Sequence, residues 1–342
     1  MNPKLQHHRG FSLIELMVGI VIAMLAMIIV MQLFQNSEGA RRTTTGGDDA
    51  QTTGAISLAI LQRDLRQAGQ GLLDPALLGC SLTIDGGRVI QNLSGFAINH
   101  PNVAAGDANT DTLLIAYGDG DGSPQGDRIL SQPNPTEYAM TTPSAFLPND
   151  RVIATPATSA AACARLLDQV SGVPVNLRVP VATGVAGSAN GILFNLGLDP
   201  VFRAYAVRSG QLTSCNYRTH NCAETAAGSW VPVAEGVVSL RAQYGHDTTT
   251  PMDARVDEFN QTTPTTACGW LKATGLRLVV VVRSGQLEKE AVTNSTNAPT
   301  WAGNAGAPIS LPGSEWQRYR YKTLETVLPL RNATALGANG TC

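Results

Sequence analysis

The hydrophobic pattern separates an apolar amino-terminal segment from a long remainder of short alternating segments. Leu13 to Phe34 comprises 22 residues, apolar except for Glu15, Gly19 and Gln32. As an α-helix at 1.5 Å per residue this segment would measure about 33 Å, which is long enough to cross a bilayer. We therefore predict a membrane-spanning helix near the amino terminus.

A second helical pattern runs from Ala55 to Ala68 and ends at Gly69 and Gly71. Its apolar residues recur at helical spacing, with charged and polar residues between them: Leu58, Leu61, Leu65 and Ala68, against Arg63, Asp64, Arg66 and Gln67. We expect the apolar face to pack on the rest of the protein. Residues 35–54 contain four glycines and five threonines, which are poor helix formers, so we expect the helix to be interrupted or loosened between Gly39 and Gly54.

Beyond residue 80 the pattern is one of strands and turns. LTIDGGRVI (82–90) predicts a hairpin around Asp85, Gly86 and Gly87, and LRLVVVVRS (276–284) a strand covered on both faces. Further strands are predicted at 112–117, 151–154, 175–181, 191–195, 201–207 and 237–244, and a partly covered one ending near Pro329. The fold class is therefore α+β: a long amino-terminal helix followed by a β-rich head.

Composition and motifs narrow the function. Lys and Arg number 24 against 26 Asp and Glu, for a net charge of -2 and no basic block, so nucleic acid is not an expected partner. The chain has no GxSxG, HExxH or Walker-type motif, and its five histidines lack ligand spacing. We expect no enzymatic activity and no cofactor.

All six cysteines lie beyond the apolar segment, which favours disulfides in an exported domain: Cys80, Cys163, Cys215, Cys222, Cys268 and Cys342. The pairing is not determined by the sequence, but Cys215 and Cys222 are close enough to close a small loop and are the first candidates. A metal site at Cys215, His220 and Cys222 is the alternative. It lacks a CxxC pair and a fourth ligand, so the disulfide is favoured.

A glycine-rich acidic loop, YGDGDGSPQGD (117–127), is a further candidate metal site. Asp119, Asp121 and Asp127 could supply calcium with carboxylate oxygens. Their spacing is not that of an EF-hand loop, so a solvated turn is the favoured interpretation and no metal is assigned.

The residues before the apolar segment are basic (Lys4 and Arg9), so the positive-inside rule leaves the first ten residues in the cytoplasm. The motif Gly10, Phe11, Ser12, Leu13, Ile14, Glu15 then opens the span. It resembles the class III signal of type IV prepilins. The resemblance implies that a membrane prepilin peptidase cleaves between Gly10 and Phe11 and methylates the Phe11 amine.

Glu15 would be the fifth residue of such a mature chain. A carboxylate within an apolar span is costly unless paired. The Phe11 amine of a neighbouring subunit would supply that pair, so Glu15 is expected to set the register of assembly. The alternative is that Glu15 reaches the headgroups at the end of the span.

The wider resemblance is to the PilW family of minor pilins, on LQRDLRQAG (61–69), VAEGVVSLRAQYGHD, GLRLVVVVRS and TVLPLRN. It implies a leader at 1–10, a transmembrane and filament-core helix at 11–36, its continuation at 37–71 and a head at 72–342. Such a protein would be anchored in the inner membrane with its head in the periplasm, and later part of a pilus at the cell surface.

The same resemblance implies partners and a role. The partners would be other minor pilins, the major pilin, the prepilin peptidase and the inner-membrane assembly machinery. The role would be priming of type IV pili at or near the tip, with twitching motility and adhesion as dependent processes. A minor pseudopilin of type II secretion and a tip adhesin are the alternatives.

Overall fold

A computed structural model describes residues 12–120, 122–157, 163–226, 228–330 and 332, with only the backbone at 36, 40, 42 and 43. A single helix, α1, runs from Leu13 to Gln67, and a short helix, α2, from Ala267 to Lys272. The described part of the head otherwise consists of strands, four short 3-10 turns and loops. The predicted α+β class, with a long amino-terminal helix and a β-rich head, is confirmed.

The strands in chain order are β1 Ser81–Ile84, β2 Arg88–Ile90, β3 Phe96–Ile98, β4 Leu113–Tyr117, β5 Asp127–Asn134, β6 Glu137–Met140, β7 Arg151–Thr155, β8 Ala164–Leu166, β9 Asp168–Gln169, β10 Arg178–Pro180, β11 Ile192–Gly197, β12 Val201–Arg208, β13 Gln211–Asn216, β14 Val231–Glu235, β15 Val237–His246, β16 Glu258–Asn260, β17 Ala273–Arg283 and β18 Tyr321–Pro329.

Two sheets and the end of α1 share the main core. One sheet has the order β14-β13-β12-β4-β3 and the other β16-β15-β17-β18. Strands β17 and β18 carry most of the packing against α1, with β4, β14 and β15 beside them. A small sheet, β2-β1-β8, lies at the side of this body, and its β1–β2 hairpin turns at Asp85–Gly87 as predicted.

The middle of the chain forms a barrel that packs on this body through Ile153, Phe194 and Leu196. Its strands have the order β10-β6-β5-β11-β7-β9, and a bridge between Val170 and Val181 joins the two outer strands. The sheet thus closes on itself and has its own core: Ile129, Tyr138, Met140, Phe146, Val152, Ala154, Val170, Val179, Val181 and Leu193. Closure satisfies the edges of these short strands.

Strand β17 is covered on both faces, as the β-branched run predicts. Leu276, Leu278, Val280 and Val282 face the main core. Val279 and Val281 face the other way, against Trp301 and Ile309 from the long segment between β17 and β18. That segment therefore functions as a cover for the sheet.

The predicted interruption between Gly39 and Gly54 is wrong, because α1 is continuous over its 55 residues. Buried positions recur on one face of the helix: Gly46, Ala50, Gly54, Ser57, Leu61, Asp64, Leu65 and Ala68. The small residues among them let the helix backbone approach the sheet closely. Helix propensity counts each glycine as a loss of about 1 kcal/mol, but packing and propagation from an existing helix outweigh that.

Gly54 and Gly47 offer a test of this close approach. A Cβ at Gly54 would lie 2.8 Å from Val282 Cγ2 and closer still to the Leu324 side chain, whereas at Gly47 no atom lies within 4 Å. We expect Gly47→Ala to raise the free energy of unfolding by about 0.5–1 kcal/mol through helix propensity. Gly54→Ala should not raise the free energy of unfolding, because the added Cβ clashes with the side chains of Leu324 and Val282. Thermal unfolding of the full chain in detergent, followed by circular dichroism, measures both; equal gains would contradict the packing argument.

Candidate assembly site

The first part of α1 is apolar and uncovered. The large hydrophobic side chains between Leu13 and Phe34 are 48–75% exposed in the single chain. Within the described residues, α1 is the one helix long and apolar enough to cross a membrane by length and composition. An apolar surface of this extent is unfavourable in water, so lipid or other apolar helices must cover it.

Glu15 lies at the start of this surface. Ser12 precedes the helix, and its backbone N–H donates to the Glu15 carboxylate at 3.1 Å. Among the described side chains, the first buried position of α1 is Gly46, where an added Cβ would lie 3.3 Å from Ser284 Cβ. That point is about 46 Å along the helix from Glu15, so the contacts from Gly46 onward leave the Glu15 charge uncompensated.

The other end of α1 is anchored by a fully buried carboxylate, Asp64. Tyr205 Oη donates to it at 2.6 Å and Tyr117 Oη at 3.3 Å. Arg203 Nη1 lies 2.9 Å from Asp64 Oδ2, and Arg63 Nε lies 3.3 Å from Oδ1. These partners come from β4, β12 and the helix itself, so one carboxylate joins α1 to the neighbouring sheet.

The environment of Asp64 raises the pKa of both tyrosines that bond it, Tyr117 and Tyr205. Burial, and next the charge of Asp64, raises the pKa of Tyr117 to about 12. Burial and the hydrogen bond to Asp64 also raise the pKa of Tyr205. Both phenols therefore remain neutral donors to the carboxylate at physiological pH.

The carboxy-terminal strand region holds the last turn of α1. Asn332 Nδ2 donates to the carbonyl oxygens of Gln67 at 3.3 Å and Ala68 at 3.1 Å. The Gly69 N–H donates to Ala116 O at 2.8 Å as the chain leaves the helix. The two Asn332 bonds satisfy carbonyls that a helix end leaves unpaired, and the Gly69 bond fixes the exit of the chain.

The sequence interpretation placed Asp64 with the solvent-facing residues of the second helical pattern, which is wrong. Residue 64 lies three positions after Leu61 and four before Ala68, on the face that those residues bury. This spacing was the available signal, because a charged residue at an apolar position needs a buried partner. Arg203, Tyr205 and Tyr117 carry no comparable local signal.

The cysteines follow the favoured interpretation. Cys215 pairs with Cys222 and Cys80 with Cys163, with Cα atoms 5.8 Å and 4.7 Å apart. The Cys215–Cys222 bond leaves no thiolate for the alternative metal site with His220. Cys268, in α2, is half-buried and free among the described cysteines, and Cys342 lies outside the described residues.

The acidic loop does not assemble a metal site within the described residues. Asp119 accepts from the Asp199 N–H at 3.1 Å, and Asp127 accepts from the Thr142 hydroxyl at 2.7 Å. The described parts of the chain hold no group of three or more His, Cys, Asp or Glu suited to a metal. Asp121 lies outside those residues, as do the cleavage residues Gly10 and Phe11.

Two family models match the chain at its two ends. The prokaryotic N-terminal methylation motif matches residues 5–31, a range that contains Gly10, Phe11 and Glu15. The model of the type IV pilus-assembly protein W family matches residues 204–332, from β12 to the residue that caps α1. Together the two matches support a PilW-type minor pilin. Proteins of this family are structural pilus subunits and not enzymes, as the sequence predicts.

Among solved structures, the type IV-like pilin TTHA1219 from Thermus thermophilus is similar, with 12% sequence identity and a TM-score of 0.32. The similarity covers 84% of this chain and 97% of that one. No curated protein sequence matches the chain. The family assignment of this minor pilin rests on the two sequence models.

Removing the buried charge of this PilW-type pilin should loosen the helix. We expect Asp64→Asn to lower the free energy of unfolding by about 3 kcal/mol, because Arg203 loses its buried counter-ion and the amide offers one acceptor oxygen where the carboxylate offers two. Asp48→Asn, on an exposed position of the same helix, should change it by less than about 0.5 kcal/mol. Chemical denaturation of the full chain in detergent measures both, and similar losses would argue against the anchor.

Alkaline pH should weaken the same anchor. Unfolded tyrosine loses its proton near pH 10, whereas folded Tyr117 keeps it up to a pKa of about 12. Between these values the folded state binds more protons, so the free energy of unfolding falls as pH rises. Unfolding titrations at several pH values should show this slope, and Tyr117→Phe should make it shallower. An unchanged slope would exclude Tyr117 as a contributor.

Proposed function

We propose that the chain is made as a prepilin, cleaved between Gly10 and Phe11, methylated on the Phe11 amine by prepilin peptidase, and incorporated as a minor subunit into type IV pili. The observation that carries the proposal is the continuity of α1. One unbroken helix joins an uncovered apolar segment to a segment anchored in the head. The apolar end can thus exchange lipid for neighbouring helices while the head stays folded.

The membrane would hold the subunit before assembly. The segment from Leu13 to Phe34 has the length and composition of a span and is consistent with membrane anchoring. With the basic residues before it in the cytoplasm, the head would fold in the periplasm, where the two disulfides can form. Extraction into a filament then replaces lipid contacts with contacts to the helices of other minor pilins and the major pilin.

Glu15 would set the register during that exchange. In the single chain its carboxylate has a local hydrogen bond from Ser12. A cationic amine of an adjacent subunit would neutralise the charge at one axial position of the incoming helix. The ion pair therefore selects one stagger between neighbours, because a shifted helix leaves two buried charges unpaired.

The priming role and a location at or near the tip follow from the PilW resemblance. In this role the head contacts other minor pilins to form the first layer of the filament, together with the inner-membrane assembly machinery. Sheared pili should then contain the protein in small amounts, and antibody to the head should label filament ends. Labelling along the whole filament would contradict a tip location.

The Glu15 charge gives the decisive variant. We expect Glu15→Gln to reduce surface pili by at least about tenfold, since the amide keeps the shape and cannot neutralise the neighbouring amine. Glu38→Gln is the matched control, because it removes the same charge from the same helix beyond the apolar segment. Pili are counted by shearing and electron microscopy, with membrane levels of each variant measured by immunoblot. Equal piliation in both variants would reject the register role.

Processing is tested separately by intact mass and amino-terminal sequencing of the protein from native membranes. The expected chain begins at methylated Phe11. A chain that begins at Met1 in cells with active prepilin peptidase would overturn the proposal.

Deletion of the gene distinguishes the two assembly systems. Loss of pili supports type IV assembly, whereas loss of protein secretion with normal pili supports a type II pseudopilin.

A further inference from the structure

One end of the barrel exposes apolar side chains on a tight hairpin. Val173, Val175 and Leu177 are 69%, 62% and 57% exposed. Val175 and Arg178 exchange backbone hydrogen bonds of 3.1 Å and 2.9 Å, which leaves Asn176 and Leu177 as the two turn residues. We define residues 173–177 as the barrel tip.

Leu177 is an unusual choice for its position. Both turn residues have positive φ, 51° for Asn176 and 60° for Leu177. Two-residue turns of this kind favour Asn-Gly, because a side chain in the left-handed region costs stability. Leu177 therefore lowers stability through its backbone, and its exposed side chain recovers little of that loss by burial. Residues held at such a cost often serve a contact outside the fold.

The valines extend the same apolar surface. Ser171 N–H donates to Pro180 O at 3.0 Å, so the segment from Gly172 to Pro174 bulges out between that pair and the turn. The bulge places Val173 in solvent beside the turn. The result is a convex apolar projection, in contrast to a groove that could receive a protein segment.

Charge around the tip is sparse and balanced. Within residues 129–149 and 170–180 the charged side chains are Glu137 and Arg178. They pair with each other at 3.2 Å, so this part of the barrel is neutral. A neutral, convex, apolar projection matches the interior of an uncharged lipid layer and has no attraction for an anionic one.

The barrel tip also lies apart from the helix anchor. The strands that carry the packing against α1 are β4, β14, β15, β17 and β18, and all of them lie outside the barrel. The tip is therefore free to make a contact while α1 is held in a membrane or filament.

We propose that the barrel tip is a membrane-contact site that inserts Val173, Val175 and Leu177 into the surface of an uncharged lipid bilayer. This activity goes beyond pilus assembly and does not depend on it. It gives a minor pilin a means of attaching to a lipid surface other than the one that holds α1.

The test uses the full chain held by α1 in lipid nanodiscs, with phosphatidylcholine vesicles as the second membrane. Vesicles are recovered by flotation and the bound nanodiscs are quantified. The wild type should bind saturably, with little change between about 50 mM and about 500 mM salt, because no charge pairing is involved. Binding that needs anionic lipid, or that salt abolishes, would overturn the proposal.

The variant is chosen to preserve the fold. Val175→Thr combined with Leu177→Gly keeps a β-branched strand residue and gives the turn its preferred glycine, so the unfolding temperature should stay equal or rise. Binding should fall about tenfold or more, because two inserted apolar side chains are lost.

The matched control changes the same residue types at exposed positions away from the tip, namely Val231→Thr with Leu198→Gly. Its binding should stay within about twofold of the wild type, a difference too small to represent a lost apolar contact. Equal binding by the tip variant and the wild type would overturn the proposal. So would a wild type that fails to bind vesicles while the tip variant loses pili, since the tip would then be a contact between subunits.

Discussion

The burial of Asp64 is the constraint on which the rest of the structure depends. A buried carboxylate is tolerated only when its charge and its lone pairs are satisfied together. Arg203 supplies the charge, and Tyr205 and Tyr117 supply the donors. These groups come from two strands of one sheet, so α1 meets all of them at one rotation and one axial position.

Fixing that rotation matters because α1 is continuous. Asp64 and Glu15 lie about 74 Å apart along one helix, so whatever orients one end also orients the other. A flexible joint at residues 39–54 would break this relation. The small residues Gly46, Ala50 and Gly54 instead let this part of α1 pack closely on the head beside β17 and β18. The helix therefore continues into the head without a joint.

The sequence predicted the elements better than it predicted their connections. The apolar span, the face carrying Leu61 and Leu65, and the double-sided β17 follow from periodicity, because each pattern reports burial on its own element. Asp64 and the continuity of α1 depend on what packs against the helix from residues far along the chain. A glycine in the sequence is compatible with a helix break and also with the close approach of a helix to a sheet. The sequence alone therefore does not distinguish these two roles at Gly46 and Gly54.

The barrel shows the same limit in another form. Its strands are short, and several were predicted singly, but closure depends on the bridge between Val170 and Val181. Backbone pairing of this kind leaves no periodic signal in the side chains. The exposed tip, by contrast, was readable in principle as VPVNL (173–177), a mostly apolar segment that includes a turn-favouring Asn.

The range matched by the PilW family model contains most of the strands that pack against α1 and excludes the barrel. Residues 204–332 contain Tyr205, the strands β14, β15, β17 and β18, and the capping Asn332, which contact the carboxy-terminal part of α1. The barrel, residues 127–197, lies outside that range. The matched part of the head therefore supplies most of the packing against α1, while Arg203 and Tyr117, two of the partners of Asp64, lie outside it. The barrel has its own closed sheet and core, so its surface can take on a separate contact without disturbing the anchor.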